Sequence, residues 1–226
     1  MTDILYTISV WLIPLVVAIT FHEAAHGWVA DRLGDDTARR LGRITLNPIR
    51  HIDRFGTLIL PGLLLLMQAP FIFGYAKPVP VNFSRLGAPK RDMIWVALAG
   101  PAMNIALAII AGLLLHLVVT LPPPAAGWVD DNLVNMMIIN VVLAVFNMLP
   151  MLPLDGGRVL TGLLPMPLAV RFAKLERFGM LFLVGLLFIV PTVASLLGFA
   201  FSPLASIMGP PIGFAFEFIA TVTGHG

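Results

Sequence analysis

Long apolar segments dominate this chain and limit the folds that it can adopt. Six such segments lie at 4–30, 57–73, 92–121, 133–151, 178–200 and 201–223. A helix needs about 20 mostly apolar residues to cross a bilayer, and several of the six approach or exceed that length. Only 12% of the 226 residues are charged, which is too little to cover a soluble domain of this size. We therefore expect an α-helical polytopic membrane protein, embedded in the lipid bilayer as one domain over residues 1–226 with no soluble accessory domain.

The basic residues predict an orientation in the membrane. All 14 Lys and Arg residues lie in the segments 31–56, 74–91 and 152–177, and none lies at either terminus or in the loop at 122–132. Because Lys and Arg concentrate in cytoplasmic loops, we place the three basic segments in the cytoplasm and the other connections outside. The charges are scattered between apolar segments rather than gathered in one patch, so a nucleic-acid partner is excluded.

Three stretches do not fit a simple spanning helix. Segment 57–73 is short, contains proline and lies between two cytoplasmic segments, so we predict a re-entrant hairpin. Residues 74–83 alternate around Pro78 and Pro80, which predicts an extended edge strand or β-like loop. Such a strand could pair with an extended substrate, and a plain extended linker is the alternative. Proline and glycine interrupt 201–223, so its crossing is left open beside four firm transmembrane helices.

One motif in the first apolar segment has the spacing of a metal site. His22, Glu23 and His26 form the pattern H-E-x-x-H. Residues four apart lie on one helix face, so two imidazoles can bind one Zn²⁺, and the intervening carboxylate can take a proton from metal-bound water. Ionisable residues at membrane depth are costly and suggest function. The alternative is that the three polar residues only cap a buried helix end.

A catalytic zinc usually needs a third protein ligand beside a water. The chain has no cysteine, Glu176 lies among basic residues, and Glu217 lies in the last, interrupted segment. Asp155 is the remaining candidate, because it follows the fourth apolar segment and lies on the predicted cytoplasmic side with the motif. We therefore predict one Zn²⁺ per chain, bound by His22, His26 and Asp155. A turn or cap carboxylate is the alternative for Asp155.

Two motifs taken together resemble the site-2 protease family of intramembrane zinc metalloproteases. They are H-E-A-A-H in the first apolar segment and N-x-x-P-x-x-P-L-D-G-G-R at 147–158. The stretches G-P-A-M-N at 100–104 and K-P-V-P-V at 77–81 are similar to those of small bacterial members that lack a PDZ domain. The likeness covers most of residues 10–180.

The resemblance implies a metalloendopeptidase that hydrolyses peptide bonds within or near transmembrane segments of membrane protein substrates. It implies that the two histidines and Asp155 bind zinc, that Glu23 is the catalytic base, and that Asn147 helps to hold the substrate. We expect a multi-pass protein of the bacterial plasma membrane with its active site toward the cytoplasm. The chain has no room for a PDZ or CBS domain, so a regulatory domain would be a separate protein.

The residues alone leave other interpretations open. They are a transporter that carries Zn²⁺ as cargo, an inactive scaffold, and a metalloenzyme that acts on a lipid or prenylated substrate. The natural substrate, its cleavage site and the oligomeric state are not determined. Asn140 is a weaker candidate than Asn147 for contacting the substrate, Asn104 has no assigned role, and His51 is interpreted as a packing or interface residue.

Overall fold

All regular structure in the described part of the chain is helical. The computed structural model describes residues 2–67, 74–199 and 201–226, and no strand occurs in these ranges. The α-helices are α1 (Thr2–Arg32), α2 (Thr37–Arg40), α3 (Leu60–Leu66), α4 (Pro89–Val118), α5 (Pro123–Asn147), α6 (Asp155–Leu163), α7 (Met166–Ala173), α8 (Glu176–Val184), α9 (Val190–Leu196) and α10 (Pro203–Thr223). Short 3₁₀ turns lie at Pro48–His51 and Phe83–Arg85, and π-helical turns at Arg54–Ile59 and Gly185–Ile189 precede α3 and join α8 to α9.

Five helical stretches in the described residues are long and apolar enough to cross a membrane. They are Ile4–Arg32, Pro89–Val118, Ala125–Asn147, Glu176–Leu196 and Pro203–Thr223. The α-helical polytopic membrane fold is therefore confirmed.

Two boundaries differ from the sequence-based assignment. The predicted outer loop at 122–132 is mostly the beginning of α5, because Pro123 has the backbone angle that suits a first helical turn. The segment 201–223, whose crossing was left open, forms the continuous helix α10 although Pro210 and Pro211 lie inside it. Proline is tolerated in such a helix when neighbouring helices support it, and α10 packs on α4 and α5.

Four of the long helices, α1, α4, α5 and α10, form one bundle. Trp128, near the start of α5, donates to the Ser9 hydroxyl near the start of α1 at 2.9 Å, and Asp155, which follows α5, lies beside His22 and His26 in the second half of α1. These two helices therefore run in parallel. Ala108, Val141 and Ile219 form a fully buried cluster that joins α4, α5 and α10. The bundle end at which α1 finishes is called the motif end here, because the H-E-x-x-H residues lie in the second half of α1.

The contacts of α10 determine its direction. Because Val96, near the start of α4, lies against His26, α4 begins at the motif end and finishes at the opposite end. His116, in the last turn of α4, stacks on His225 with ring centroids 4.2 Å apart, so the end of α10 lies opposite the motif end. Ile207, near the start of α10, lines a groove together with Met148 and Pro150 at the finish of α5. Thus α10 runs from the motif end to the opposite end, parallel to α4.

The link from α9 to α10 restricts the position of the α8–α9 stretch. Gly179 in α8 lies against the Leu152 carbonyl at the motif end. Only residues 197–202 connect α9 to α10, and an extended chain covers at most about 3.6 Å per residue, or about 25 Å here. A bilayer core is about 30 Å thick. The predicted firm span 178–200 corresponds to Glu176–Leu196, which is long and apolar enough to cross. The short link to α10 favours a tilted position, or one near the motif end, over a full crossing.

The predicted hairpin returns to the side on which it begins. The Tyr75 N–H donates to the Gly56 carbonyl at 3.0 Å, and the Thr57 hydroxyl donates to the Tyr75 carbonyl at 2.9 Å. The two ends of segment 57–73 are therefore adjacent, whereas a crossing would separate them by about 30 Å. This supports the prediction that the segment does not cross. Residues 68–73 of the predicted hairpin lie outside the described residues.

Candidate metal site

The structure brings the three predicted ligands together at the motif end. His22 and His26 lie one turn apart on α1, and their Nε2 atoms are 3.0 Å apart. Asp155 Oδ2 lies 3.2 Å from His22 Nε2 and 3.3 Å from His26 Nε2. The three ligand atoms lie within 4.8 Å of one another, and they form the only such group among the described residues.

Glycines allow the surrounding backbone to approach this cluster. A Cβ on Gly100 of α4 would lie 2.5 Å from both His22 Nε2 and His26 Nε2, so only glycine lets α4 pack directly on the two rings. Asp155 is the first residue of α6, and a Cβ on the next residue, Gly156, would overlap the Met148 carbonyl. The turn after α5 can therefore fold back tightly and carry Asp155 to α1.

Hydrogen bonds to the second ring nitrogen orient both imidazoles. His26 Nδ1 lies 2.7 Å from the Val96 carbonyl, which can only accept, so Nδ1 carries the hydrogen. His22 Nδ1 lies 2.5 Å from the side-chain oxygen of Asn104 and donates to it. Each Nε2 then directs a lone pair toward the centre of the cluster, which is the arrangement of metal-binding histidines.

This donor set suits a cation. Two imidazole lone pairs face a carboxylate oxygen, and Asp155 Oδ2 is buried without a hydrogen-bond partner. A buried group of mutually facing acceptors is unfavourable unless a cation or protons lie between them. Two histidines and one carboxylate, with a fourth position open, match the ligands of a catalytic zinc. The residues present therefore fit Zn²⁺.

Glu23 lies beside the cluster and is tied to the extended segment, residues 74–82. Its Oε2 accepts a hydrogen bond from the Val79 N–H at 2.7 Å. The Lys77 N–H, two residues earlier, donates to the His51 carbonyl at 2.9 Å. Two alternate N–H groups of the segment are thus paired with other parts of the protein. The predicted strand has no partner strand within the described ranges, so it is an extended segment rather than part of a sheet.

Two buried side chains anchor the extended segment. Arg43 donates to the carbonyls of Lys77 and Pro78 at 2.9 and 3.3 Å. Asp35 is fully buried, and its Oδ2 accepts from the Asn82 N–H at 2.6 Å. These contacts fix the position of the segment relative to α1 and hence relative to Glu23.

An exposed charge cluster lies on the same loops. Asp36 pairs with Arg40 at 2.6 Å and with Arg85 at 2.8 Å. Partial removal from water raises the pKa of Asp36, but the hydrogen bond and charge of Arg40, together with Arg85 and Arg39, lower it more, and the net pKa lies below its ordinary value. The cluster ties the α2 region to the 3₁₀ turn that follows the extended segment.

The predicted asparagines occupy different positions. Asn147 is the last residue of α5, and its amide donates to the Leu143 carbonyl at 3.0 Å. Asn140 is fully buried, donates to the Met136 carbonyl at 2.8 Å and accepts from Asn104 at 2.7 Å. Asn140 is therefore engaged within the bundle, which argues against the weaker prediction that it contacts substrate.

Sequence reasoning gave no role to Asn104, which contacts His22. The available signal was an amide in the apolar helix α4, four residues after Gly100. The two other glutamates lie apart from the cluster. Glu176 pairs with Arg158 at 3.3 Å, and Glu217 is exposed on α10.

An apolar groove of about 830 Å³ opens beside the site, between the second half of α1, α4, α5 and α10. Its lining residues are Val29, Trp95, Leu98, Ala99, Pro101, Ala102, Ile105, Ala144, Val145, Met148, Leu149, Pro150, Ile207 and Pro211. Ala99 and Pro101 flank Gly100, which packs on the two histidine rings. The lining thus includes the chain neighbours of Gly100 but none of the three ligands.

Comparisons with known proteins identify similar chains. The family profile described as "Peptidase family M50" matches residues 10–127 and 123–190. "Putative zinc metalloprotease YwhC" of Bacillus subtilis (strain 168) is 38% identical over 185 residues, which cover 80% of each chain. "Putative zinc metalloprotease Rip2" of Mycobacterium tuberculosis (strain H37Rv) is 30% identical over 186 residues, which cover 82% of this chain and 67% of that protein. The Rip2 protein of Mycolicibacterium smegmatis is 30% identical over 180 residues, covering 80% of this chain and 65% of that one. No solved structure matches the chain significantly.

Proposed function

The chain belongs to peptidase family M50, the site-2 protease family, and we propose that this zinc metalloprotease cuts peptide bonds within or near transmembrane segments of membrane protein substrates. One observation carries the proposal. His22 Nε2, His26 Nε2 and Asp155 Oδ2 converge within 4.8 Å inside a bundle of membrane-length helices. A hydrolytic centre at this position is accessible to a substrate that is itself in the membrane.

We assign one Zn²⁺ per chain to His22, His26 and Asp155. When bound there, zinc supplies Lewis acidity, which polarises a peptide carbonyl and makes water a stronger acid. The hydrogen bonds from the two Nδ1 atoms, to Asn104 and to the Val96 carbonyl, keep both Nε2 lone pairs available.

Glu23 is the proposed general base. Its Oε2 accepts the Val79 N–H at 2.7 Å, which holds the carboxylate and leaves Oε1 to take a proton from water. The same oxygen then delivers the proton to the departing amine. The resulting amine and acid products account for all atoms of the water consumed.

The substrate must lose local helical structure before it can be cut, because a helix uses its carbonyls in internal hydrogen bonds. The apolar groove of about 830 Å³ is the proposed entrance, since its lining matches an apolar helix and includes Ala99 and Pro101 on either side of Gly100. The extended segment, held by Arg43 and Asp35, is the proposed edge for an unwound stretch. Pro78 and Pro80 have no N–H, so at these two positions the edge can pair only through carbonyls, and the Pro78 carbonyl also accepts from Arg43.

Asn147 is the proposed substrate contact at the finish of α5. A primary amide has two N–H donors, and the bond to Leu143 accounts for one of them. We propose that the other donates to a substrate carbonyl, where a donor stabilises developing negative charge.

The similarity to proteins of Bacillus subtilis and Mycobacterium tuberculosis supports a bacterial plasma-membrane location, and the charge distribution supports an orientation with the motif end toward the cytoplasm. The basic segments 31–56, 74–91 and 152–177 all connect helices at the motif end.

Cleavage of a single-span membrane substrate by the purified protein in detergent tests the proposal. Wild type, Glu23→Gln and Asp155→Ala are compared, and the zinc content of each is measured. We expect Glu23→Gln to keep its zinc and to cleave at least about 100-fold more slowly, because general acid–base catalysis contributes about 10² to 10⁴. Asp155→Ala loses zinc and activity together.

Three results would count against the proposal. Cleavage by Glu23→Gln at the wild-type rate would exclude Glu23 as the base. Zinc retention by Asp155→Ala at wild-type affinity would exclude Asp155 as a ligand. Cleavage of a soluble unfolded peptide but of no membrane substrate in any tested set would contradict the proposed substrate class.

A further inference from the structure

Two asparagines link His22 to the centre of the bundle. Asn104 on α4 and Asn140 on α5 are both 0% exposed, in a part of the bundle that is otherwise apolar. Asn104 contacts His22 Nδ1 at 2.5 Å through Oδ1, and its Nδ2 donates to Asn140 Oδ1 at 2.7 Å. A buried amide is costly unless its groups are paired, so a pair of fully buried amides needs a physical reason.

The chain of hydrogen bonds has a direction that backbone carbonyls set. Asn140 Nδ2 donates to the Met136 carbonyl at 2.8 Å, and a carbonyl can only accept. The Asn140 side-chain oxygen must therefore face Asn104 as an acceptor, and Asn104 must donate to it through Nδ2. The Ala18 carbonyl, 3.3 Å from Asn104 Nδ2, also accepts from this nitrogen and so favours the same orientation of the Asn104 amide. The Asn104 atom that faces His22 is then Oδ1, which can only accept, so His22 Nδ1 must carry the hydrogen.

We propose that Asn140 is a positioning residue that acts through Asn104 to hold His22 in the tautomer that leaves the Nε2 lone pair free for the metal. The proposal rests on the assignment of His22 as a zinc ligand and extends it to a residue that does not touch His22.

The effect of Asn140 follows from what a rotated Asn104 amide would face. Turning that amide over would put Asn104 Oδ1 against two oxygens, the Ala18 carbonyl and Asn140 Oδ1. It would also direct Asn104 Nδ2 at His22 Nδ1, which favours the opposite tautomer with the hydrogen on Nε2. Removing the Asn140 oxygen leaves only the longer Ala18 contact, at 3.3 Å, to oppose this rotation. A hydrogen on His22 Nε2 blocks metal binding at that atom.

Four variants of the full-length chain separate positioning from general stability. Asn140→Leu and Asn140→Ala both remove the acceptor, with different packing. Asn140→Asp keeps it, because a neutral carboxyl can accept from Asn104 and donate to the Met136 carbonyl. Asn135→Leu is the matched control, since Asn135 is a buried asparagine on the same helix that donates to the Val10 carbonyl at 2.9 Å and has no link to His22.

Two readouts are measured on each variant in detergent. Zinc affinity is measured by competition with a chelator, and the His22 tautomer is measured in the metal-free protein by ¹⁵N NMR of labelled histidine. We expect Asn140→Leu and Asn140→Ala to bind zinc about 10- to 100-fold more weakly, the range for loss of a group that orients a metal ligand. Their His22 shows a mixture of tautomers. Asn140→Asp and Asn135→Leu keep the wild-type affinity and the Nδ1–H tautomer.

Wild-type affinity and tautomer in a folded Asn140→Ala or Asn140→Leu protein would overturn the inference, and so would an equal loss of affinity in Asn135→Leu. Failure of the wild type to bind zinc would instead refute the assigned metal site. The tautomer of the metal-free protein would then still decide whether Asn140 orients His22.

Discussion

Adding one methyl group at Gly100 tests how closely α4 must approach the metal ligands. A Cβ at this position would lie 2.5 Å from His22 Cε1, His22 Nε2 and His26 Nε2. Ordinary contacts between such atoms are about 3.5 Å, so the rings or the helix must move by about 1 Å. Plausible metal–ligand distances vary by only about 0.2 Å, so a shift of this size disrupts the site.

The expected magnitudes differ for stability and for activity. Overpacking a well-packed interior costs about 1–3 kcal/mol, and Gly→Ala inside a helix recovers about 0.5–1 kcal/mol. The net loss of stability in Gly100→Ala is therefore at most about 2.5 kcal/mol, and the protein should still fold. Displacing a catalytic constellation by about 1 Å costs about 100-fold in rate, and we expect at least that loss of cleavage together with weaker zinc binding.

Gly127→Ala is the matched control. Gly127 lies in α5, and a Cβ there would meet nothing within 4 Å. The same substitution should leave zinc content and cleavage unchanged. Both variants are compared by zinc content, thermal unfolding and cleavage of the single-span substrate. Wild-type zinc affinity and cleavage in Gly100→Ala would refute the argument that the packing of α4 on the two rings determines the site geometry.

Three other predictions concern the extended segment and the membrane arrangement. Arg43→Leu removes the donor to two carbonyls of the extended segment and should reduce cleavage about 10-fold, while zinc content stays at the wild-type level. Zinc loss in this variant would contradict the role assigned to Arg43. Asp35→Ala, which removes the acceptor for two partly buried N–H groups, should lower the free energy of unfolding by about 1–3 kcal/mol, measured by denaturant titration; an unchanged value would contradict the anchoring role. The chain has no cysteine, so single cysteines report sidedness with an impermeant maleimide in intact cells. Val119→Cys should react from outside, whereas Lys174→Cys and Leu197→Cys should react only after permeabilisation; labelling of Leu197→Cys from outside would show that the α8–α9 stretch crosses.

The crossing pattern was predictable in part. Hydropathy alone is sufficient to find α1, α4 and α5, because a long apolar run has few alternatives to a buried helix. It was less informative for 201–223, where helix-breaking residues obscured α10. The favourable packing of α10 on α4 and α5 offsets the proline penalty, and this packing energy depends on residues that are more than 60 positions away in the chain.

The candidate site was also predictable only in part from the sequence. The spacing of His22 and His26 identifies one helix face, and exclusion of other carboxylates points to Asp155. The contacts of Glu23 with Val79 and of His22 with Asn104 join residues 56 and 82 positions apart. No local pattern encodes such a pairing, so these partners could not be read from the sequence.

By itself, the sequence determined that this protein is helical and membrane-embedded and which residues could bind zinc, since both follow from local composition and from the period of a helix. Only the tertiary structure decided which buried amides orient the ligands, which loop holds Glu23, and which glycine admits a neighbouring helix. Those outcomes depend on contacts between distant segments, and their energies exist only when the helices pack.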